Sequence, residues 1–209
     1  NSTGKQRTAT VKYWTIMEND YVKVFDENNN EVPSQVSVID GTKVVIFSAK
    51  VDAVGVAVYS VVPSDTPYAG ENTLSVSENT LENKFYRVTI NADGDIASVY
   101  DKELGKELLS APSRLEISPD NSTVWPSWEL CSEDNAREHA FVKDNCTCEI
   151  VENGAAEVAL RVTRTYGSSK FIQGISLSET EKVVSVYNYV DWFSRNSLLK
   201  ATFPLTASN

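Results

Sequence analysis

His139 is the only histidine in the sequence, and it stands between Cys131 and the pair Cys146 and Cys148. These four possible soft ligands lie within eighteen residues. On a strand, Cys146-Thr147-Cys148 would put both sulfurs on one face, where they could clasp a metal. The spacing argues against zinc. Structural zinc sites draw their ligands as short-spaced pairs on both sides, whereas seven residues separate Cys131 from His139 and six separate His139 from Cys146. One histidine also rules out a two-histidine zinc site within this chain and leaves most nucleophile–histidine mechanisms resting on a single residue. The three cysteines read as buried or incidental, with a strained disulfide as the alternative. No metal ligand and no catalytic residue is assigned.

Trp125-Pro-Ser-Trp128-Glu129 is the densest aromatic cluster, and it follows the turn-like Pro119-Asp-Asn-Ser122. Sugars bind on indole faces while carboxylates accept bonds from their hydroxyls. Trp125, Trp128 and Glu129 are therefore the candidate carbohydrate-contacting residues. The competing reading has the two indoles capping a sandwich edge. Paired carboxylates held roughly 5–10 Å apart could hydrolyse a glycoside. With 29 acidic residues such pairs arise by abundance, and Asp93 with Asp95, Glu133 with Asp134, and Glu179 with Glu181 all fall in turns. Asp191-Trp192 closes an apolar strand and reads as structural. Gly167-Ser-Ser-Lys170 lacks the spacing and the following helix of a phosphate loop.

The whole composition narrows the classes further. Nineteen basic against 29 acidic residues give a net charge of −10, which repels nucleic acid and anionic membranes as partners. No apolar run approaches the roughly 18 residues of a membrane span, and Asn1-Ser-Thr-Gly-Lys5 lacks the apolar core of a signal peptide. Three cysteines are too few for a disulfide-built scaffold and leave the compartment open. The triplets at Asn1, Asn121 and Asn145 fit a glycosylation acceptor but are too common by chance to decide it.

Period-two alternation is the dominant pattern that must position these residues. Val54, Val56 and Val58 alternate with Gly55, Ala57, Tyr59 and Val61; Val158, Leu160 and Val162 oppose Glu157, Arg161 and Thr163; Val184, Val186 and Val190 oppose Ser185, Tyr187 and Tyr189. Strand side chains alternate between faces, so each pattern suits a sheet with one buried side. Further strands are expected at Tyr21–Phe25, Gln35–Ile39, Lys43–Ser48, Phe85–Ile90, Ile96–Tyr100, Ser113–Ile117, Thr147–Val151, Lys170–Leu177 and Leu198–Phe203. Asp40-Gly41, Asp93-Gly94 and Asn153-Gly154 mark hairpin turns, and Asn28-Asn-Asn30 is another. The only helical candidate, Cys131–His139, is short and polar, a loop or a single turn. The expectation is an all-β sandwich. Two prolines and a glycine between Val62 and Gly70 place a boundary there, giving a small β-sandwich over residues 1–72 and the beginning of a larger sandwich over residues 73–209.

Several segments in order resemble one known family. Glu31-Val-Pro-Ser-Gln-Val36 with Ile46-Phe-Ser-Ala-Lys-Val-Asp-Ala-Val-Gly-Val-Ala-Val-Tyr59 is similar to the sandwich segment after the catalytic part of glycoside hydrolase family 38 α-mannosidases. Thr80-Leu-Glu-Asn-Lys-Phe-Tyr-Arg-Val88, Gly94-Asp-Ile-Ala-Ser-Val-Tyr-Asp-Lys-Glu103 and Glu107-Leu-Leu109 resemble the opening of the family's large terminal sandwich. Val190-Asp-Trp192 and Leu198-Leu-Lys-Ala-Thr-Phe-Pro204 resemble a later stretch of it, with Ser194 standing where many members carry an acid.

The resemblance implies a small sandwich followed by part of a large galactose mutarotase-like β-sandwich, without the N-terminal domain that carries zinc and an aspartate nucleophile. No cofactor belongs to this chain; zinc is expected in that absent catalytic domain. The implied partners are the catalytic domain of the same parent chain and a mannose-containing glycan, with the Trp125–Glu129 segment at the glycan rim. A stand-alone carbohydrate-binding module and a purely structural domain are the competing readings. An incomplete sandwich also implies an open sheet edge and self-association through it. Acidity and glycan chemistry lean towards an extracytoplasmic parent.

Overall fold

A computed structural model describes the chain except for residues 123, 124, 126, 127, 208 and 209. The described residues are almost entirely antiparallel β. Six strands come first: β1 (Arg7–Trp14), β2 (Tyr21–Phe25), β3 (Glu31–Val32), β4 (Ser34–Ile39), β5 (Thr42–Val51) and β6 (Ser60–Ser64). They form two three-stranded sheets, ordered β1-β5-β4 and β3-β2-β6. Between them lie Val22 and Val24 of β2 and Val45, Phe47 and Ala49 of β5, all buried.

Next come β7 (Ser75–Val76), β8 (Thr80–Glu82), β9 (Tyr86–Ile90), β10 (Ile96–Asp101), β11 (Lys106–Glu107) and β12 (Arg114–Pro119). The single helical turn α1 (Ser132–Asn135) leads to β13 (Ala140–Phe141), β14 (Asp144–Asn153), β15 (Glu157–Tyr166), β16 (Ser169–Ser178), β17 (Ser185–Asp191) and β18 (Ser197–Thr202). A five-stranded sheet β11-β10-β9-β8-β7 and a four-stranded sheet β14-β15-β16-β17 share the largest core. Leu81, Val88 and Ile90 from the first meet Val158, Leu160, Val162, Ile175 and Leu177 from the second. A third sheet, β13-β12-β18, packs Leu115 and Ile117 against Val142 and Phe171.

The expected alternation holds in part. Val158, Leu160 and Val162 on β15 are fully buried, but Glu157 opposite them is buried too. At β17, Val184, just before the strand, and Val186 pack on the core while Tyr187 and Tyr189 face out, but Val190 is exposed. It fails at Val54–Val58. That segment has no ladder partner until Ser60; Val54 sits in a turn with φ of 47°, and Val54, Val56 and Val58 are exposed. Tyr59 and Val61, on the opposite face, carry the packing. A period of two reports an extended chain but not which side is covered.

The strand β1 was not anticipated, although Ala9, Val11 and Tyr13 alternate with Thr8, Thr10 and Lys12. It pairs with β5 along its whole length, from Arg7 opposite Val51 to Trp14 opposite Val44. This pairing explains why β5 lacks alternation: Val45, Phe47 and Ala49 fill one core while Val44 and Ile46 face Ala156 on the other side. All three glycine dipeptides join antiparallel partners. Only Asp40-Gly41 takes positive φ at both positions, 49° and 77°, as a two-residue primed turn requires.

The family-like motifs build the ends of these strands. The buried Asn83 accepts from Phe85 N at 2.9 Å and Tyr86 N at 2.7 Å, and donates to Ser178 O at 2.9 Å, tying the two sheets together. Asp101 Oδ1 accepts from Glu103 N and Leu104 N, each at 2.9 Å, which turns the chain after β10. Lys102 meets Glu82 at 2.6 Å, and Glu82 also holds Arg87. Four backbone N–H groups that would otherwise be orphaned at strand ends are satisfied in this way by Asn83 and Asp101.

A second polar joint links β4 to the β14–β15 turn. Gln35 Oε1 accepts from Ala156 N at 3.0 Å and Glu157 N at 2.9 Å, while its Nε2 donates to Glu152 at 2.9 Å. Ser37 also donates to Glu152, and Lys12 reaches Glu157 at 2.8 Å. Burial raises the Glu152 carboxyl above its ordinary 4.5, against the pull of Ser37 and Gln35. A raised folded value means that the native state holds the proton more tightly than the unfolded chain. Stability should therefore fall as pH rises from about 4.5 through the raised value. Glu152→Gln should remove that fall, read as urea midpoints across a pH series; superimposable profiles for the two proteins would contradict it.

Candidate functional site

The segment between β12 and β13 carries the predicted sugar-contacting residues. Trp125 and Trp128 lie ring on ring, with centroids 5.3 Å apart and planes 14° from parallel. The backbone makes this contact: Trp125 has φ of 55°, and its carbonyl accepts from Trp128 N at 3.1 Å and Glu129 N at 3.0 Å. A turn closed in this way brings side chains three residues apart to one side. The indoles do not cap a core, since Trp125 is 59% and Trp128 77% exposed. Glu129 and Leu130 beside them are exposed as well. The stacked pair is an amphipathic ridge open to a ligand on its outer faces.

The same excursion is anchored by Asp134 in α1. Its Oδ2 accepts from Asn121 N at 2.8 Å, and Arg137 pairs with its Oδ1 at 3.2 Å. His139 follows. Its Nδ1 lies 3.0 Å from Glu116 of β12 and its Nε2 lies 3.2 Å from the Asn135 carbonyl. Both ring nitrogens therefore face oxygen acceptors in a polar patch on β12. Among the described residues, no group of three or more His, Cys, Asp or Glu is arranged to hold a metal. Cys131, Cys146 and Cys148 are all free. Cys146 and Cys148 both lean on the large core, as their spacing on a strand dictates, and burial raises both thiols above the ordinary value.

The most buried charges were missed by the sequence reading. Arg164 on β15 is fully buried and donates to Asp95 at 2.9 Å, to the Asp93 carbonyl at 3.4 Å, and to Gln173. Asp95 is 4% exposed and also lies 3.4 Å from Arg114 Nε. Burial raises the Asp95 carboxyl, opposed by the attraction of Arg114 and Arg164, and burial likewise lowers Arg164. Arg114 stacks on Phe141 at 4.6 Å. The sequence showed Asp93 and Asp95 as turn acids. Asp95 and Arg164 are 69 positions apart, and only strand pairing brings them together. The available signal was an arginine at an inward-facing position of an apolar strand.

Asp191 and Trp192 stand where the sequence placed them, at the end of β17, with Trp192 edge-on to Phe171 at 6.2 Å. The paired acids at Glu133 and Asp134 and at Glu179 and Glu181 serve turns and ion pairs: Asp134 holds Asn121, Glu179 holds Lys84, and Glu181 lies against Ser178. No catalytic pair emerges from them. No curated protein matches the chain. The sequence model of the glycosyl hydrolases family 38 C-terminal domain matches residues 81–209, which takes in the large core, the tryptophan loop and the Asp95–Arg164 pair. That match covers more than half of the chain and takes in Asn83, Asp101 and Trp192. The chain belongs to the family 38 glycosyl hydrolases, as part of their C-terminal domain.

Proposed function

We propose that this chain is the non-catalytic β-sandwich region of an α-mannosidase, a scaffold that also lends Trp125, Trp128 and Glu129 to the rim of the glycan pocket. In this reading the parent enzyme cleaves α-mannosidic bonds with retention, and zinc and the nucleophile reside in a catalytic domain outside these residues. The family match carries the hydrolase part. The exposed stacked indoles support the glycan contact, because a sugar ring covers an indole face while Glu129 accepts from its hydroxyls.

Two measurements separate this reading from its rivals. The 209-residue chain should show no turnover of an aryl α-mannoside, with or without added zinc, and zinc-dependent hydrolysis by the chain would end the proposal. In calorimetry with mannose oligosaccharides, the chain should bind at millimolar strength, and Trp128→Ala should weaken that binding about tenfold, equivalent to about 1.4 kcal/mol. Binding that survives Trp128→Ala unchanged would remove the tryptophans from the rim. No binding at all would favour a purely structural domain, and micromolar binding would favour a stand-alone module.

A further inference from the structure

Arg114 carries a buried donor, Nε, without a hydrogen-bond partner among the described residues. Three quarters of its side chain is buried, yet its guanidinium donates no hydrogen bond to any described residue. Nε lies 3.4 Å from Asp95 but without hydrogen-bond geometry, and it is a buried nitrogen lacking a partner. A buried donor in that condition destabilises the fold unless a partner meets it. Arg114 also lines two adjoining hollows. One is a cavity of about 130 Å³ that includes Ser113, Gln173, Val186, Asn188 and Phe203 in its wall. The other is an open groove over Pro112, Glu116, Phe203 and Pro204.

The polarity of the opposite wall is dictated from the core. Arg164 is a donor only, so the Gln173 oxygen must face it. Gln173 Nε2 is thereby turned outwards and donates to Asn188 Oδ1 at 2.7 Å. Asn188, which lines the cavity, is left with an Nδ2 that meets no acceptor among the described residues. Donors thus converge from two sides. Arg114 and Arg164 both face the carboxylate of Asp95, and Asp93 adds a second negative charge near Arg164. Glu116, the other acid on this face of β12, is turned to His139.

We propose that this cavity is a binding site for a small carboxylate, held by the Arg114 fork and Asn188 Nδ2 with its short apolar tail against Val186 and Phe203. A planar carboxylate accepts two parallel bonds from a guanidinium, which a point anion cannot do. The site is independent of the glycan reading and uses none of its residues.

Propionate is a suitable probe, with propionamide as its neutral isostere and chloride as the point anion. In ¹⁵N-detected titrations of the 209-residue chain, propionate should shift the Arg114 Nε and Asn188 Nδ2 signals saturably, in the low-millimolar range, about −3 to −4 kcal/mol for so small a ligand. Arg114→Met should weaken this at least about tenfold while retaining the cooperative unfolding transition. Asn188→Asp changes an exposed residue, keeps the bond from Gln173, and places a negative charge at the rim; it too should abolish the response. The assignment is overturned by an equal response to propionamide or to chloride, by no saturable shift, or by wild-type binding in Asn188→Asp.

Discussion

Asp95→Asn lowers the stability of the chain by about 3–5 kcal/mol, the loss expected when one member of a buried ion pair is removed and its partner keeps its charge. Arg164 is then left fully buried with only a carbonyl, an amide and a neutral carboxamide around it. Arg114, 3.4 Å from the same carboxylate, loses its counter-charge too. Cavity formation contributes little, since Asn and Asp are nearly isosteric, so electrostatics carries the effect. The measurement is the free energy of urea unfolding at neutral pH. Replacing both partners by apolar residues, Asp95→Leu with Arg164→Met, should recover most of the loss, because the fully buried charge of Arg164 goes and only Arg114, one quarter exposed, keeps its charge. A loss under about 1 kcal/mol for Asp95→Asn, the range of an exposed pair, would show that water reaches the pair.

Gly94→Ala is the second large effect, at about 2–5 kcal/mol, from two causes that add. The residue sits at φ of 80°, where an L side chain costs about 1–2 kcal/mol. The new methyl would also lie 2.6 Å from Val162 Cγ1, 2.8 Å from Cys146 Sγ and 2.9 Å from Arg164 Cδ. Such overpacking costs about 1–3 kcal/mol more, and here the neighbours cannot swing away: Val162 is fully buried and Arg164 is held by Asp95. The turn is tied down on its other side, with Asn91 Oδ1 accepting from Asp93 N at 3.0 Å and Asp95 N at 2.9 Å. The expected result is a lower urea midpoint with an unchanged slope. Gly41→Ala is the control, because that glycine has φ of 77° but nothing within 4 Å, and its loss should be the smaller one. Equal losses at the two positions would mean that the close packing at Gly94 relaxes freely.

Much of the architecture was legible because β-strands write their geometry locally. Tyr21–Phe25, Ile96–Tyr100 and Lys170–Leu177 were expected as strands and are strands, since β-branched and aromatic residues at alternating positions fit a pleated, half-covered surface. The hairpin partners followed from the turn dipeptides. Coverage was not legible. Val54, Val56 and Val58 alternate as regularly as Val158, Leu160 and Val162, yet the first three are exposed and the second three are fully buried. The difference lies in whether a second sheet comes to cover that face, a property of distant chain segments. The strand β1 escaped for the same reason, being half-exposed and stabilised mainly through its pairing with β5.

By itself the sequence determined the all-β class, most strand positions, the net charge of −10, and the ordered motifs that point to the family. These depend on residue type and short-range spacing, which the chain carries within a few positions. Only the tertiary structure decided that Asp95 serves Arg164 and Arg114, that the lone His139 faces Glu116, and that Trp125 and Trp128 stack in the open and bury no core. Each of these joins groups across strand ladders or depends on a single positive φ. A charge or an indole takes its chemistry from the neighbours that folding brings to it.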